Sequence, residues 1–488
     1  MPNPFFKPDL AIRGRKSCNP SSYPMNLGST QRKTDTRALN FAATATLAFV
    51  CFLRSSNEIG NLDWEESFAV GQALTLDWTV VFRPNTYLII TQRLLIEVAL
   101  WFPLEVLPFV TVTLSVAFWT LCLATIYYSL QSLQVSLARS YLATLAVALV
   151  PGPLAISHGL IMGSWWIQLF AAVVLVSSLT DQDSRYHRIY RNCFLLLTSV
   201  SHPFAFVLVL GLLIRYRMRS IGRGTLTETV GCVSIGLILN LISFANRKPL
   251  LDYFEPSWMP NTVDERKAMI FFDASGATST RDVVVRSLVD RVAQIPEIVK
   301  FYASSFLPNP VRSWIQGPQS WLIDGLLLVA FCTAIMLLLT PLARIQVHRR
   351  SQISKFEIPL FVMSAAVTGT SALVVDDPLQ HQYFVLAISA TVLACCLNVC
   401  FGAGQTAINK VITGLALVIS SLCFAPNVGQ QFIDEGRNRA GYGWSIGLSR
   451  TVEHCDGEDA DEVVVIMQDR EISNPAAPVL VTCGAISR

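Results

Sequence analysis

The sequence predicts an all-α polytopic membrane protein, and three observations support this fold class. The chain has 488 residues, of which 52% are hydrophobic and only 15% charged, whereas soluble domains carry roughly 25% charged residues. The apolar residues occur in long runs, several of which reach the roughly 18–25 residues that cross a bilayer. The net charge is only +3, so no strong positive field attracts polyanions. This composition excludes a soluble enzyme, a disordered protein and a nucleic-acid-binding protein.

The apolar runs predict nine membrane spans within residues 38–424. They cover 38–54, 106–128, 140–157, 161–180, 225–245, 320–343, 356–375, 383–401 and 406–424. A polar, basic tail, 1–37, precedes the first span and shows no periodicity, so we predict that it is disordered and cytoplasmic. Because the first apolar run begins only near Leu39, no cleavable signal peptide is expected.

A tenth apolar segment, 192–214, has basic residues on both flanks. Arg185, Arg188 and Arg191 precede it, and Arg215, Arg217, Arg219 and Arg223 follow it. Both flanks therefore favour the cytoplasm. Pro203, in the sequence Ser201-His202-Pro203, lacks a backbone donor and disfavours helix at the residue before it. We predict two half-helices that enter the membrane and return, with the break at this proline; a kinked full span is the alternative.

This topology places the first loop, 55–105, the long loop 246–319 and the tail 425–488 outside the cell. The stretch 282–299 within the long loop has one apolar helical face. It is predicted to be an amphipathic helix, lying either on the membrane or against the protein. The protein is thus expected to be multi-pass in a bacterial cytoplasmic membrane, with a cytoplasmic N-terminus and an exoplasmic C-terminus.

The exoplasmic tail is acidic and carries two β-like runs, Val463–Met467 and Val479–Thr482. Each run lies near a cysteine, Cys455 or Cys483. These are the two cysteines that the topology places in an oxidising compartment, so we predict a disulfide between them. Two free thiols are the alternative.

Three carboxylates, Asp63, Glu65 and Glu66, follow the first span. At a membrane boundary a carboxylate can accept the proton of an attacking hydroxyl, or hold a metal ion beside a phosphate. Alternatively, the turn is solvated and caps a helix that begins near Ser67. The sequence requires no metal cofactor and is compatible with a divalent ion.

Other polar positions on the predicted exoplasmic side are candidates for substrate binding. They are Tyr87, Arg93, His202, His381 and Tyr383, with His158 as a further polar point. A single buried histidine is more often a packing residue, so each histidine has this second interpretation. No Walker-type loop, GxSxG or HExxH motif occurs in the sequence.

These residues carry a resemblance to a known family. Residues 83–94 read RPNTYLIITQRL, which resembles a Pro-x-x-Gly-Tyr-Leu-x-x-x-x-Arg-Leu stretch of bacterial membrane proteins with the layout of GT-C glycosyltransferases, enzymes that use polyprenyl-phosphate sugars. The Asp63-Trp64 pair, the Ser-His-Pro break and Gln382-Tyr383-Phe384 are similar to features of the same group. The sequence departs from the pattern at Thr86, where a glycine is usual, and at Gln382, where an arginine is usual.

The resemblance implies a GT-C-like helix bundle with exoplasmic amphipathic helices and a small exoplasmic tail. It implies transfer of a sugar from a polyprenyl-phosphate donor to a glycan or lipid acceptor, with inversion at the sugar carbon, in cell-envelope polysaccharide synthesis. Asp63, Glu65 or Glu66 would be the general base. Besides membrane lipid, the partners would be the lipid-linked donor and the acceptor. A transporter or flippase for lipid-linked glycans, or a non-catalytic assembly partner, remains the alternative.

Overall fold

The computed structural model describes most of the predicted bundle and parts of the tail. It describes residues 28–55, 62, 66, 69–71, 73–74, 88–149, 161–181, 184–245, 352–374, 385–400, 443–456, 460, 463–466 and 479–486. The chain divides into two compact units, Met1–Ala43 and Thr44–Arg488. In the first unit the described residues are helical, and the contacts discussed below all belong to the second.

The described residues are mainly helical, in agreement with the predicted fold class. The helices are α1 (Gly28–Ser55), α2 (Ile90–Ala99), α3 (Leu107–Ser132), α4 (Leu137–Ala148), α5 (Trp165–Ser178), α6 (Arg185–Ser201), α7 (Phe206–Arg217), α8 (Arg223–Ala245), α9 (Gln352–Val374), α10 (Val385–Cys400), α11 (Gly443–Cys455) and α12 (Cys483–Ile486). The strands are β1 (Val463–Ile466) and β2 (Val479–Thr482). Short 3-10 helices cover Leu104–Val106, Met162–Ser164 and Pro203–Ala205.

Three described stretches are long and apolar enough to cross a membrane. They are Arg37–Ser55, Leu104–Ser132 and Arg223–Ile242. Their positions agree with the predicted spans 38–54, 106–128 and 225–245. The predicted spans 161–180, 356–375 and 383–401 coincide with α5, α9 and α10. The spans 320–343 and 406–424 and the amphipathic stretch 282–299 lie outside the described residues.

Two boundaries differ from the prediction. Helix α1 begins at Gly28, so residues 28–37 of the tail predicted to be disordered are helical. Glutamine, arginine and lysine in this stretch favour helix, and an existing helix extends at little cost. Helix α4 ends at Ala148, well before the predicted end at 157. The sequence Pro151-Gly152-Pro153 is a strong helix-ending signal that follows soon afterwards.

Helix α5 lies at the centre of the bundle. It contacts α3, α6, α7, α9 and α10, and its side chains are buried from Trp166 almost without interruption to Ser178. A helix that is apolar on all sides is stable only when neighbouring helices surround it. The composition of this segment therefore predicts its central position.

The chain breaks at His202 and reverses direction. His202 has extended dihedral angles, φ −141° and ψ 123°, between α6 and the following 3-10 turn. At the far end of the pair, Arg215 on α7 donates a hydrogen bond to the carbonyl of Leu179, just before α6. Gly222, after α7, donates its N–H to Asp181 at 2.9 Å. The two basic flanks therefore lie at the same end, which confirms the predicted reversal and contradicts the kinked-span alternative.

Helix α8 packs parallel to α6 along its length. Near the start of both helices, Arg191 and Glu228 form an ion pair of 3.6 Å. Near their ends, Asn240 contacts the backbone of Ser199. Gly236 permits this approach, because a Cβ there would lie 2.8 Å from the carbonyl carbon of Ser199. We call the end with Asn240 and His202 the loop end and the end with Arg215 and Asp181 the basic end.

The tail forms a small folded element at the loop end. Strands β1 and β2 are antiparallel, with Val463 opposite Thr482, close to the two predicted runs. Cys455 and Cys483, the pair that the sequence predicts, are joined by a disulfide. Trp444 of α11 is buried and donates its indole N–H to the carbonyl of Leu104 at 2.6 Å. The tail therefore packs against the segment that precedes α3.

Candidate functional site

The first loop, helix α2 and the tip of the α6–α7 pair meet at the loop end. Helix α2 is amphipathic and buries Thr91, Gln92, Arg93, Ile96 and Ala99. It contacts α3 and α6. Through α2, residues far apart in the sequence are brought to one end of the bundle, where three of the predicted site residues, Glu66, Arg93 and His202, are all buried.

Glu66 is held inside the protein by a backbone donor. Its carboxylate accepts a hydrogen bond from the N–H of Ile161, which directly precedes the 3-10 helix Met162–Ser164. Its exposed fraction is 1%. A carboxylate at the N-terminal end of a helical segment satisfies an otherwise unpaired donor. This contact ties the acidic turn of the first loop to the start of the central helix α5.

A chain of hydrogen bonds between uncharged side chains continues from this point. Ser164 lies 3.4 Å from the amide nitrogen of Gln92, which also donates to Gln168 at 3.1 Å. Gln168 donates to Thr91 at 3.3 Å, and the hydroxyls of Thr91 and Ser201 are 2.7 Å apart. The cluster therefore connects α5, α2 and the last residue of α6. Its members are almost fully buried, so their bonds fix the relative positions of these helices.

The break after α6 leaves two helix carbonyls without their usual donors, and Asn240 replaces both. Pro203 has no N–H for the carbonyl of Ser199, and Phe204 donates its N–H to His202 instead of the carbonyl of Val200. The amide nitrogen of Asn240 donates to these two carbonyls at 2.7 and 2.9 Å. The amide oxygen accepts the N–H of Leu88, which precedes α2, at 2.9 Å. One side chain thus secures both the break and the start of α2.

His202 is surrounded by aromatic rings, and one of its two ring nitrogens has no hydrogen-bond partner among the described residues. Its ring centroid is 4.8 Å from that of Trp165 and 5.0 Å from that of Trp166. Because Nδ1 accepts the N–H of Phe204 at 3.2 Å, the proton of the neutral ring is assigned to Nε2. Nε2 is buried and has no hydrogen-bond partner among the described residues; the same holds for the amide oxygen of Gln92. The N–H of His202 is thus an unpaired donor, and the amide oxygen of Gln92 an unpaired acceptor, at the loop end of the bundle.

Of the remaining predicted catalytic and substrate-binding residues, the structure describes one, Arg93. Arg93 lies on the buried side of α2, next to Gln92. Asp63, Glu65, Tyr87, His381 and Tyr383, together with His158, lie outside the described residues. The structure therefore describes one of the three candidate bases, Glu66, and two of the five candidate substrate-binding residues, Arg93 and His202.

A cavity of about 720 Å³ opens at the C-terminal end of α2. The end of α2, the segment before α3 and the tail form its walls, and most of the lining is apolar. Its lining residues include Glu97, Trp101, Glu105, Leu448 and Ile486. The tail closes one side of this cavity, so a molecule bound there would contact both the first loop and the tail.

No metal centre is found in the described part of the chain, where no three His, Cys, Asp or Glu side chains come together. Of the three carboxylates that could bind a metal in the first loop, the described one is Glu66, and it already accepts a backbone N–H. The described residues therefore do not form the ligand set that a divalent ion prefers.

The sequence interpretation missed the amides that organise the site. Gln168 and Asn240 lie within apolar segments, and neither was assigned a role. Amide side chains within apolar helices usually hydrogen-bond between helices, and this is the signal that would have identified them. The sequence could not indicate that Asn240 contacts the residues before Pro203, because that contact depends on the parallel packing of α6 and α8.

The chain is similar to solved structures of the oligosaccharyltransferase of Archaeoglobus fulgidus, a GT-C glycosyltransferase. For AglB in complex with an inhibitory peptide and a dolichol-phosphate, identity is 12% and the TM-score is 0.43, over 90% of this chain and 62% of that one. For the complex with Zn and sulfate, identity is 14% and the TM-score is 0.46, over 89% and 59%. For the enzyme tethered to an acceptor peptide, identity is 13% and the TM-score is 0.40, over 89% and 60%.

The chain thus spans less than two thirds of the length of these structures. No protein-family model and no curated protein matches the sequence. Because the TM-scores are below 0.5, no residue role is transferred from these structures, and the roles proposed below depend on the contacts of this chain.

Proposed function

We propose that this protein transfers a sugar from a polyprenyl-phosphate donor to a glycan or lipid acceptor on the exoplasmic side of the membrane, in cell-envelope synthesis. One observation carries the proposal: buried hydrogen bonds connect the acidic turn of the first loop, helix α2 and Ser201, which directly precedes His202 at the helix break, at one end of the bundle. A lipid-linked sugar presents its phosphate and sugar at such a membrane boundary.

The acidic turn supplies the general base. The bond between Glu66 and the N–H of Ile161, together with its burial, favours a positioning role for Glu66. It fixes the turn so that Asp63 or Glu65, outside the described residues, can reach the acceptor. The choice of base among the three carboxylates stays a proposal. A base must lie within hydrogen-bond reach of the hydroxyl that it deprotonates, and an anchored turn meets that requirement better than a mobile one.

Residues on α2 and at the helix break bind the donor. Arg93 carries a permanently charged, forked group that suits a phosphate. The unpaired N–H of His202 and the unpaired amide oxygen of Gln92 would donate to a donor oxygen and accept from a sugar hydroxyl, respectively. Tyr87, His381 and Tyr383 are proposed as further contacts.

Transfer then takes place by direct displacement with inversion. The base removes the proton of the acceptor hydroxyl while the hydroxyl oxygen forms a bond to the anomeric carbon. The bond from that carbon to the phosphate oxygen breaks, and its electron pair leaves with the polyprenyl phosphate. No side chain of the described site is placed as an activated nucleophile, so a covalent glycosyl-enzyme is not part of the proposal.

The cavity beside α2 is proposed to receive the acceptor. Its apolar walls and its two carboxylates, Glu97 and Glu105, suit a lipid or glycan chain with hydroxyl groups. Because α11 and α12 form one wall, truncation after Gln430 should lower acceptor turnover while donor binding is retained. An unchanged rate after truncation would show that the tail does not form the acceptor site.

Isosteric substitutions of the two adjacent glutamates test the proposal. Glu66→Gln keeps an oxygen that can accept the N–H of Ile161, so the fold should persist in this variant; Glu65→Gln removes a candidate base without changing side-chain length. The assay is product formation by the purified protein with a panel of polyprenyl-phosphate sugars, alongside donor binding. Loss of product is expected with Glu65→Gln, or with Asp63→Asn if Asp63 is the base, and donor binding should be retained in both variants. A transporter would form no product, whether unmodified or substituted. An assembly partner would keep its function in cells with both substitutions.

A further inference from the structure

Five exposed arginines from three segments are gathered at the basic end of the bundle. They are Arg185 and Arg188 at the start of α6, Arg217 and Arg219 at the end of α7, and Arg223 at the start of α8. We call them the basic patch. The hydrogen bond from Gly222 to Asp181 joins the two flanks of the helix pair and so brings these side chains to one surface.

Among the described residues close to the patch, few carboxylates are available to neutralise its charge. Between residues 179 and 228 the structure describes two carboxylates, and both are engaged: Asp181 accepts from Gly222 at 2.9 Å and from Thr225 at 2.7 Å, and Glu228 pairs with Arg191. Within the described residues none of the five patch arginines forms an ion pair. Clustered unpaired cations repel one another, and a bound anion would relieve that repulsion.

Exposed apolar side chains adjoin the patch on the same helices. Tyr186, Ile189 and Tyr190 on α6 and Leu213 and Tyr216 on α7 are all exposed. A surface with aromatic and aliphatic residues next to arginines is typical of the membrane boundary, where cationic side chains extend toward lipid headgroups. This arrangement distinguishes the patch from a site for a soluble anion, which would not need neighbouring apolar contacts.

We propose that the basic patch binds the phosphodiester headgroup of an anionic phospholipid, with the acyl chains against the exposed apolar side chains of α6 and α7. Basic clusters next to a transmembrane helix attract anionic lipids. Because the same turn sets the position of the helix pair whose tip carries His202, a bound lipid would hold that pair in place. The proposal does not depend on the glycosyltransferase function.

The test uses the full-length protein in detergent micelles, titrated with phosphatidylglycerol or with neutral phosphatidylcholine, with bound lipid counted by native mass spectrometry. Arg185→Gln/Arg188→Gln should weaken phosphatidylglycerol binding by roughly 25-fold, about fivefold for each arginine removed. Arg185→Lys/Arg188→Lys should bind nearly as well, because the charge is kept. Phosphatidylcholine binding should be weak and equal in all versions.

A control variant separates the patch from net charge. Arg450→Gln removes a positive charge from an exposed position in α11, at the loop end, and should change binding by less than about twofold, against about fivefold for each patch arginine. An equal loss per arginine in the control, or no loss in the patch variant, would overturn the proposal. Displacement of phosphatidylglycerol by millimolar inorganic phosphate would also overturn it, since a soluble anion would then be sufficient to fill the site.

Discussion

The substitution Asn240→Asp tests how the helix break is held. The amide of Asn240 donates to the carbonyls of Ser199 and Val200 and accepts from Leu88. Aspartate has the same shape and keeps the acceptor for Leu88. However, it places a carboxylate oxygen against two carbonyl oxygens, so two attractive interactions become repulsive.

The expected cost follows from the two hydrogen bonds that this substitution removes. A hydrogen bond between helices within a membrane contributes about 0.6 kcal/mol on average, so removing both bonds sets a lower limit of about 1 kcal/mol. The two carbonyls also stay buried without a donor, because Pro203 has no N–H and Phe204 donates to His202. An unsatisfied buried group costs about 1–3 kcal/mol. We therefore expect Asn240→Asp to destabilise the protein by about 2–4 kcal/mol.

Thermal unfolding in detergent measures this effect. The control is Thr227→Asp, which adds the same charge to the same helix at an exposed position near its N-terminal end, where a negative charge is favourable. The midpoint for Asn240→Asp should fall clearly below that of the control and of the unmodified protein. Equal midpoints for Asn240→Asp and Thr227→Asp would refute the role given to Asn240.

Three further predictions concern packing, the tail and topology. Gly236→Ala should lower stability by about 1–3 kcal/mol, because the alanine Cβ would meet the backbone of α6. The control Gly231→Ala, with open space around it, should be neutral or stabilising by about 0.5–1 kcal/mol. A lower melting temperature for Gly231→Ala than for Gly236→Ala would contradict the parallel packing of α6 and α8. Cys455→Ser should expose a free thiol at Cys483 and loosen the tail, since closure of 28 residues contributes about 3–4 kcal/mol; ready labelling of Cys455 itself in intact cells without reductant would show that the bond is absent. A reporter fused at Arg217 should give a cytoplasmic signal, and an exoplasmic signal would contradict the charge-based orientation.

The helical architecture could be predicted because it depends on local composition. Long apolar runs indicated the described apolar helices, and Pro203 with its basic flanks indicated the reversal at His202. Two short runs rich in valine indicated β1 and β2. In each case the signal is contained within one continuous stretch of chain, where periodicity and flanking charge can be recognised.

The contacts within the site could not be predicted, because they join distant parts of the chain. Glu66 is 95 residues from Ile161, and Leu88 is 152 residues from Asn240. The sequence identified Glu66 as a candidate, but its burial against a helix start depends on how the first loop folds over α5. Fold-level patterns are therefore a better guide here than patterns of single residues.

The most direct test of the proposed function is a structure of the protein with a polyprenyl-phosphate sugar bound. We expect the phosphate near Arg93 and His202 at the loop end and the anomeric carbon facing the Asp63–Glu66 turn, with a carboxylate of that turn in reach of the acceptor hydroxyl. A donor bound at the basic end, or with its sugar directed away from the acidic turn, would contradict the proposed glycosyl transfer.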